Sequence, residues 1–505
     1  MARLLVIGLD CATPQYVFDE WPRDLPVLDR LMEEGTYGVL TSTIPPITVP
    51  AWICMLSSKD PGQLGIYGFR NRKSYRYGNL YIPNSTHIRE RMVWEYLDDA
   101  GLTSILIGIP QTFPPKPLRG IMVASFLAPD KSVQYTYPAE VKAELDRIAD
   151  GDYMFDVRNF RRQDKGALLD EIYLMTRRRF KVVRHYLEHN PWDFFMFVEM
   201  GIDRIHHGFW RFQDKEHRLY DPGSPYRNVI KRYYQEIDRQ IGDLLAGVES
   251  DVAVMVVSDH GAKRMDGAVC INEWLIRQGY LRLKVEPDSP TRLTEDMIDW
   301  QRTLAWGEGG YYSRIFLNVK GREPQGILPQ EDFDRFRDQL KGEMESLEGN
   351  ESGPDRVRVL RPEEIYRSVE NIPPDLLVCF GDLSWRGAGT VGHKKIYLYE
   401  NDTGPDDANH AQEGIFVFRG DSASRKATPL AARKRLDGLS LYDVAPTILD
   451  FFGIPVPSDM AGRSILGEAS RISSGKVPGP QPQGKDYSPD EEEIIRRHLE
   501  DLGYL

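Results

Sequence analysis

Aspartates and histidines recur in this chain at spacings that suit metal binding. Asp203 and His207 stand four residues apart in "GIDRIHHGFW", Asp259 and His260 are adjacent in "VVSDHG", and Asp10 closes "VIGLD". On a helical turn, side chains at i and i+4 face the same way, so Asp203 and His207 can hold one cation. His206 points about 100° away on the same turn, which favours His207. Asp259 and His260 can share an ion only from an irregular loop at a strand end. A last ligand is expected just before a late strand, where His410 in "NHAQEGIFVFRG" fits better than His393, whose neighbouring lysines would repel a cation. Mixed carboxylate and imidazole ligation suits Zn²⁺ first, with Mn²⁺ or Fe²⁺ as alternatives, rather than Mg²⁺ or Ca²⁺. There are enough ligands for two divalent ions, which at a separation of about 3.5–4 Å clamp a phosphoryl group.

These residues need elements that bring them together. Uninterrupted apolar runs occur at 4–10, 104–110, 193–203, 251–261, 375–382 and 414–420. Such runs indicate strands buried on both faces, as in a parallel sheet covered by helices. Amphipathic stretches at 165–189 and 226–247 suit the crossovers between them. The expected fold is therefore α/β, a mostly parallel central sheet with helices on both faces. In open parallel sheets ligands bind at the carboxyl ends of the strands, and Asp10, Asp203 and Asp259 all follow strand candidates.

Residues 1–284 and 371–467 are expected to form this core. Residues 285–370 alternate strand and helix signals ("SRIFLNV", "PQEDFDRFRDQLKGEMESL", "DRVRVLRP") and predict a small inserted α+β subdomain. The segment 468–505 begins as a Ser/Gly/Pro/Gln linker and ends in "PDEEEIIRRHLEDLGYL", where Ile494, Ile495, His498 or Leu499, and Leu502 share a helical stripe that could dock.

Composition narrows the function. The chain has 505 residues, 41% of them hydrophobic and 28% charged, with a net charge of -12. That balance argues against a stable nucleic-acid partner, which demands clustered Lys and Arg. No apolar run approaches the roughly 20 residues of a membrane span, and the four cysteines form no CxxC pair. A cytoplasmic location with reduced cysteines is the expectation.

One stretch remains to be explained. "IPPITVPAW" (44–52) surrounds Thr48 with three prolines, and the apolar residues after it read as a helix with Pro50 in its first turn. Thr48 then sits at a helix N-terminus, where backbone N–H groups and the dipole favour an anion.

Taken in order, "VIGLD", "PPITVPAW", "GIDRIHHGFW", "VVSDHG" and "NHAQEGIFVFRG" resemble the alkaline phosphatase superfamily and, within it, the type I phosphodiesterase/nucleotide pyrophosphatase family. The resemblance spans residues 1 to about 465. It implies two zinc ions, one held by Asp203, His207 and His410, the other by Asp10, Asp259 and His260. It implies Thr48 as a nucleophile that also coordinates the second ion and passes through a phosphothreonine intermediate. It further implies an asparagine some twenty residues on that binds a phosphate oxygen; Asn71 is the candidate, and a turn role competes for it. The nucleophile discriminates among relatives. Thr48-Val49-Pro50-Ala51-Trp52 lacks the C/S-x-P-x-R pattern of sulfatases, and threonine instead of serine points to diesters or pyrophosphates. The expectation is a hydrolase of small phosphodiester or nucleotide-type substrates. The alternatives are a phosphomonoesterase, a phosphonate-ester hydrolase or a phosphomutase using the same site, then a non-catalytic binding protein.

Overall fold

The computed structural model describes residues 2–158, 160–347, 353–402, 404–420, 433–467, 470–472 and 486–502. The linker expected after residue 468 lies largely outside them.

Five of the six apolar runs become strands of a nine-stranded sheet. In chain order its strands are β1 (Leu4–Leu9), β2 (Thr36–Thr41), β3 (Ser104–Ile109), β4 (Gly120–Ala124), β5 (Thr136–Tyr137), β6 (Phe194–Glu199), β7 (Ala253–Val257), β8 (Glu413–Arg419) and β9 (Lys434–Ser440). Across the sheet the order is β9-β2-β8-β7-β1-β6-β3-β4-β5. The centre, β7-β1-β6-β3-β4, is parallel throughout. β8 enters antiparallel between β2 and β7, and β5 is an antiparallel edge. Every residue of β1, β6 and β7 is buried. Alternate side chains point to opposite faces, so both faces of the central strands are covered, which is why these runs do not alternate with polar residues. The two amphipathic stretches form helices Lys165–His189 and Val229–Ala246.

Register sets the position of the site. β1 lies between β6 and β7 with Leu9 opposite Glu199 and Gly8 opposite Val257. The three carboxyl ends therefore stop at one edge, and the chain leaves each of them into Asp10, into the helix Gly201–Gln213, or into Asp259 and His260.

A second, seven-stranded sheet contains the strands Gly267–Cys270, Ala305–Glu308, Ser313–Leu317, Val357–Leu360, Leu376–Phe380, Trp385–Ala388 and Tyr397–Leu398. It has its own hydrophobic cluster, including Trp274, Leu281, Ile315, Leu340, Val359, Val378 and Phe380. This sheet reaches beyond 285–370 on both sides. The run at 375–382, read above as a strand of the large sheet, pairs here antiparallel with Ser313–Leu317 and Val357–Leu360. All of Leu376–Phe380 is buried, and a doubly covered strand looks the same in sequence whichever sheet receives it.

The C-terminal segment forms a helix, Pro489–Asp501, started by a capping box between Ser488 and Glu491. Ile495, Leu499 and Leu502 join the main hydrophobic cluster, while Ile494 stays 39% exposed. No helix among the described residues is long and apolar enough to cross a membrane.

Candidate metal centre and nucleophile

Thr48 is the first residue of the helix Thr48–Ser57, entered from extended backbone at Ile47 (φ -125, ψ 130). The prolines before it bring no N–H groups, so this segment is held by its carbonyls. Tyr366 Oη donates to Ile44 O at 2.6 Å, Thr43 Oγ1 to Pro45 O at 2.7 Å, and His410 Nδ1 to Pro46 O at 2.8 Å. A segment whose two prolines have no donors, with Ile47 N turned back onto Pro45 O at 3.0 Å and three carbonyls clamped, fixes where the helix begins. Its hydroxyl is fully buried and lies 3.2 Å from His260 Nε2.

Around that hydroxyl the strand-end residues converge. Ligand atoms of Asp10, Asp259 and His260 lie within 4.8 Å of one another, and so do those of Asp203, His260 and His410. His260 thus belongs to both groups. His207 stands at the second, its Nε2 3.3 Å from Asp203 Oδ1, with His410 Nε2 3.6 Å from the same oxygen. The strand Ala408–Ala411 pairs with Gly261–Arg264 so that His410 lies opposite Ala262, and the His410 ring stacks on His260 at 3.8 Å. Of the rival histidines, His206 turns into the core, its Nε2 3.2 Å from Tyr234 Oη. His393 bonds Thr390 in the second sheet's region.

The three imidazoles are oriented alike. His207 Nδ1 faces Asp406 Oδ1 at 2.8 Å, His260 Nδ1 faces Gly261 O at 3.1 Å, and His410 Nδ1 faces Pro46 O. An acceptor at each Nδ1 selects the tautomer protonated there and turns the Nε2 lone pair inward, the arrangement metal-ligating histidines need.

Charge points the same way. Burial, then the neighbouring Asp259 and Asp203, pushes Asp10 well above the usual carboxylate range. Burial likewise raises Asp259. Burial brings His260 down to about 4 and lowers His410 well below its ordinary value. Burial also opposes the charge on Asp203, but the His207 and Arg204 cations overcome it and hold this carboxyl well below its usual range. Asp10 and Asp259 driven towards neutrality, and His260 and His410 stripped of protons, are what a buried acidic ligand set does without its cations. Burial also works against a proton on His207, but Asp406 and Asp203 raise it to about 9, so a cation bound at its Nε2 would displace that proton. Asp10 Oδ1 and Asp259 Oδ2 are buried and make no hydrogen bond among the described residues. The residues present therefore fit divalent cations.

Asn71 is bonded within its own turn. Its Oδ1 accepts from Tyr67 N at 2.7 Å and its Nδ2 donates to Gly68 O at 2.9 Å, so the 67–71 turn takes up both ends of the amide. The same turn brings Gly68, Phe69 and Arg70 to a cleft beside Ile47.

Several residues that act behind the ligands were not singled out from the sequence. Trp52 Nε1 donates to Asp10 Oδ2 at 2.7 Å, and Cys11 N donates to Asp259 Oδ1 at 3.2 Å. Arg204 binds Asp203 through Nη1 and is itself held by Asp156, with Nε to Oδ1 at 2.9 Å. Asp406 holds His207 and takes Arg161 Nη2 at 2.8 Å and Tyr311 Oη at 3.2 Å. Trp52 and Arg204 each adjoin a motif, and Asp406 stands four residues before His410. Those positions are the available signal.

Comparison with known proteins gives a consistent picture. The sequence matches the family described as Type I phosphodiesterase / nucleotide pyrophosphatase over residues 4–406. Among curated proteins no match is found. Human ectonucleotide pyrophosphatase/phosphodiesterase 5 is similar in structure with a TM-score of 0.52 at 13% identity, over 90% of this chain and 96% of that one. Its murine counterpart, described as an inactive threonine-to-alanine variant in complex with AMP, gives 0.50 at 12% identity over 90% and 96%. Phosphonoacetate hydrolase from Sinorhizobium meliloti 1021, in complex with phosphonoformate, gives 0.56 at 16% identity over 89% and 94%. At these identities the structural likeness shows the alkaline-phosphatase-like fold.

Proposed function

The chain belongs to the type I phosphodiesterase / nucleotide pyrophosphatase family, and on that premise we propose that it hydrolyses small phosphodiester or pyrophosphate substrates, of nucleotide type, through a phosphothreonine intermediate at Thr48. The observation that carries this reading is the position of the Thr48 hydroxyl at a helix start, 3.2 Å from His260 Nε2 and within a buried set of Asp10, Asp203, Asp259, His207, His260 and His410. Asp203, His207 and His410 would hold one divalent ion and Asp10, Asp259 and His260 the other, with Thr48 completing the second. His260 Nε2 is close enough to both groups to contribute to either. We take the ions to be Zn²⁺ from the donor types. When bound, such ions supply Lewis-acid polarisation of the phosphoryl oxygens and lower the pKa of a coordinated hydroxyl.

The chain's own residues do the rest. The clamped 44–47 segment aims Thr48 Oγ1 so that it can attack phosphorus in line. The Oγ1–P bond forms as the bond to the leaving alcohol or phosphate breaks, and water then attacks phosphorus and releases Oγ1. The N–H groups of the helix start favour the charge that moves through this point. We place the chemistry on the large sheet, with the second sheet as an inserted unit and Pro489–Asp501 as a docked tail. We also keep a cytoplasmic location as our reading, supported by four free, buried cysteines.

The test is turnover of bis-p-nitrophenyl phosphate by metal-loaded protein. Turnover that stops with Thr48→Ala, while metal content is kept, is the expected result. Metal-loaded wild-type protein without turnover would sink the reading. A phosphonate-ester hydrolase or phosphomonoesterase at the same site is the second reading, motivated by the phosphonoacetate hydrolase neighbour; faster monoester or phosphonate cleavage than diester cleavage would select it.

A further inference from the structure

At Ile47, the residue before Thr48, lies a cleft of about 20 Å³ lined also by Phe69, Arg70, Tyr311, Tyr312 and Arg314, among others. Tyr311 joins it to the candidate metal ligands: the Tyr311 ring is 4.4 Å from that of His410, and its hydroxyl is 3.3 Å from His207 Nδ1. Two guanidinium groups meet here over one carboxylate. Arg314 binds Glu308 through Nη2 and the Arg70 carbonyl through Nη1. Arg70 Nη2 reaches the same Glu308 oxygen only at 3.9 Å, beyond hydrogen-bond range, and its Nε, also buried, has no hydrogen-bond partner among the described residues. The side chains of Arg70, Arg314 and Glu308 are 15%, 8% and 17% exposed. Glu308 is thus the acid nearest both bases in a nearly dry setting, with Glu500 and Arg292 acting on Arg70 from farther off. A buried guanidinium with unused donors is costly to leave unpaired and binds a carboxylate or phosphate oxygen well.

We propose that this cleft is a second anion subsite with Arg70 as its ligand. The preferred substrate then carries, on the group attached to the reacting phosphorus, a further anionic oxygen from a carboxylate or a second phosphoryl group. Size supports an oxygen over a ring, since a space of about 20 Å³ holds little more than one water. The Tyr67–Asn71 turn has a use in this scheme: by closing on its own amide, Asn71 presents Arg70 to the cleft. The inference rests on the hydrolase reading above, so the test includes an arm that needs no turnover.

In that arm, calorimetry on metal-loaded wild-type protein compares phosphonoacetate with its neutral isostere phosphonoacetamide. The carboxylate should bind at least tenfold more tightly, about the worth of one charge-assisted hydrogen bond, and this advantage should vanish in Arg70→Ala and partly return in Arg70→Lys. In the second arm, kcat/KM is measured for a symmetrical dinucleoside pyrophosphate and for bis-p-nitrophenyl phosphate. Arg70→Ala should lower the first at least tenfold more than the second. An advantage in the first arm alone assigns a carboxylate; an advantage in the second alone assigns a phosphate. Equal binding of acid and amide by wild-type protein, together with equal losses in the second arm, overturns the subsite. If Arg70→Ala does not fold, equal wild-type binding of phosphonoacetate and phosphonoacetamide overturns the carboxylate form, and an Arg70→Lys variant with the wild-type ratio of the two kcat/KM values overturns the phosphate form. Absence of all turnover with intact phosphonoacetate selectivity would instead count against the hydrolase reading alone.

Discussion

The two halves of the candidate metal centre are supported in different ways. Asp10 and Asp259 are steadied by neutral donors, the Trp52 indole N–H and the Cys11 backbone N–H, both supplied by residues near the ligands or the nucleophile. Asp203 and His207 are steadied by charges. Arg204 and Asp156 stand behind the first, Asp406 and Arg161 behind the second, and His498 of the C-terminal helix lies 3.8 Å from Asp156. Neutral donors leave the Asp10 side with raised carboxyls that favour a cation. The charged relay instead keeps Asp203 ionised and ties its position to distant parts of the chain. One half is set in part by the helix of the proposed nucleophile, the other by a network that reaches the tail.

Four experiments bear on this contrast. Asp10→Ala and Asp203→Ala each remove a ligand, and each should cost on the order of 10³-fold in kcat/KM, the several kcal/mol that a Lewis acid supplies. Metal analysis of the two variants should show loss from different sites, and one variant retaining full rate would break the picture of two cooperating halves. Asp156→Asn should destabilise the protein by about 3 kcal/mol in urea, because it removes the two-point carboxylate partner of a buried guanidinium and leaves Arg204 with Asp203 as its one acid among those described here. The sign with pH follows from the carboxyl itself. Burial works against Asp156, but Arg204 and His498 hold it down at about 2, below its ordinary 3.8. Its contribution is therefore complete above pH ~4 and is lost as pH falls towards 2, so the gap between variant and wild type should narrow over that range. Asp406→Asn should weaken metal affinity by about 10- to 100-fold, as removal of a partner behind a ligand does, in competition with a chelator of known affinity. Trp52→Phe should have the smallest effect, about tenfold in metal affinity on the Asp10 side, equivalent to one hydrogen bond to a charged group. A larger loss for Trp52→Phe than for Asp406→Asn would reverse the proposed ranking of neutral and charged support.

The large sheet could be read from the chain because its central strands are long, apolar and immediately followed by acids, and parallel register then brings those acids together. The preference for His207 over His206 was legible for a similar reason, since helical spacing alone separates a residue facing Asp203 from one facing Tyr234. Leu376–Phe380 was not assignable, because burial on both faces erases the difference between one sheet and another. Asn71 was equally ambiguous: an amide suits a phosphate oxygen and a turn alike, and only the bonds to Tyr67 and Gly68 decide where it is used. Asp406 and Asp156 escaped notice because they act on residues about 200 and 50 positions away (His207 and Arg204), and no local pattern records such a pairing. His260 reaching both ligand groups is likewise a fact of three-dimensional placement.

The helix that begins with Thr48 is buried along its whole length, from Thr48 to Ser57. The hydroxyl proposed to react is thus the first atom group of a rod embedded in the core, where other enzymes mount such groups on loops that loosen early on heating. Warming the protein should leave the nucleophile in place until the core itself melts, so catalysis and folded structure are expected to fail in a single cooperative transition.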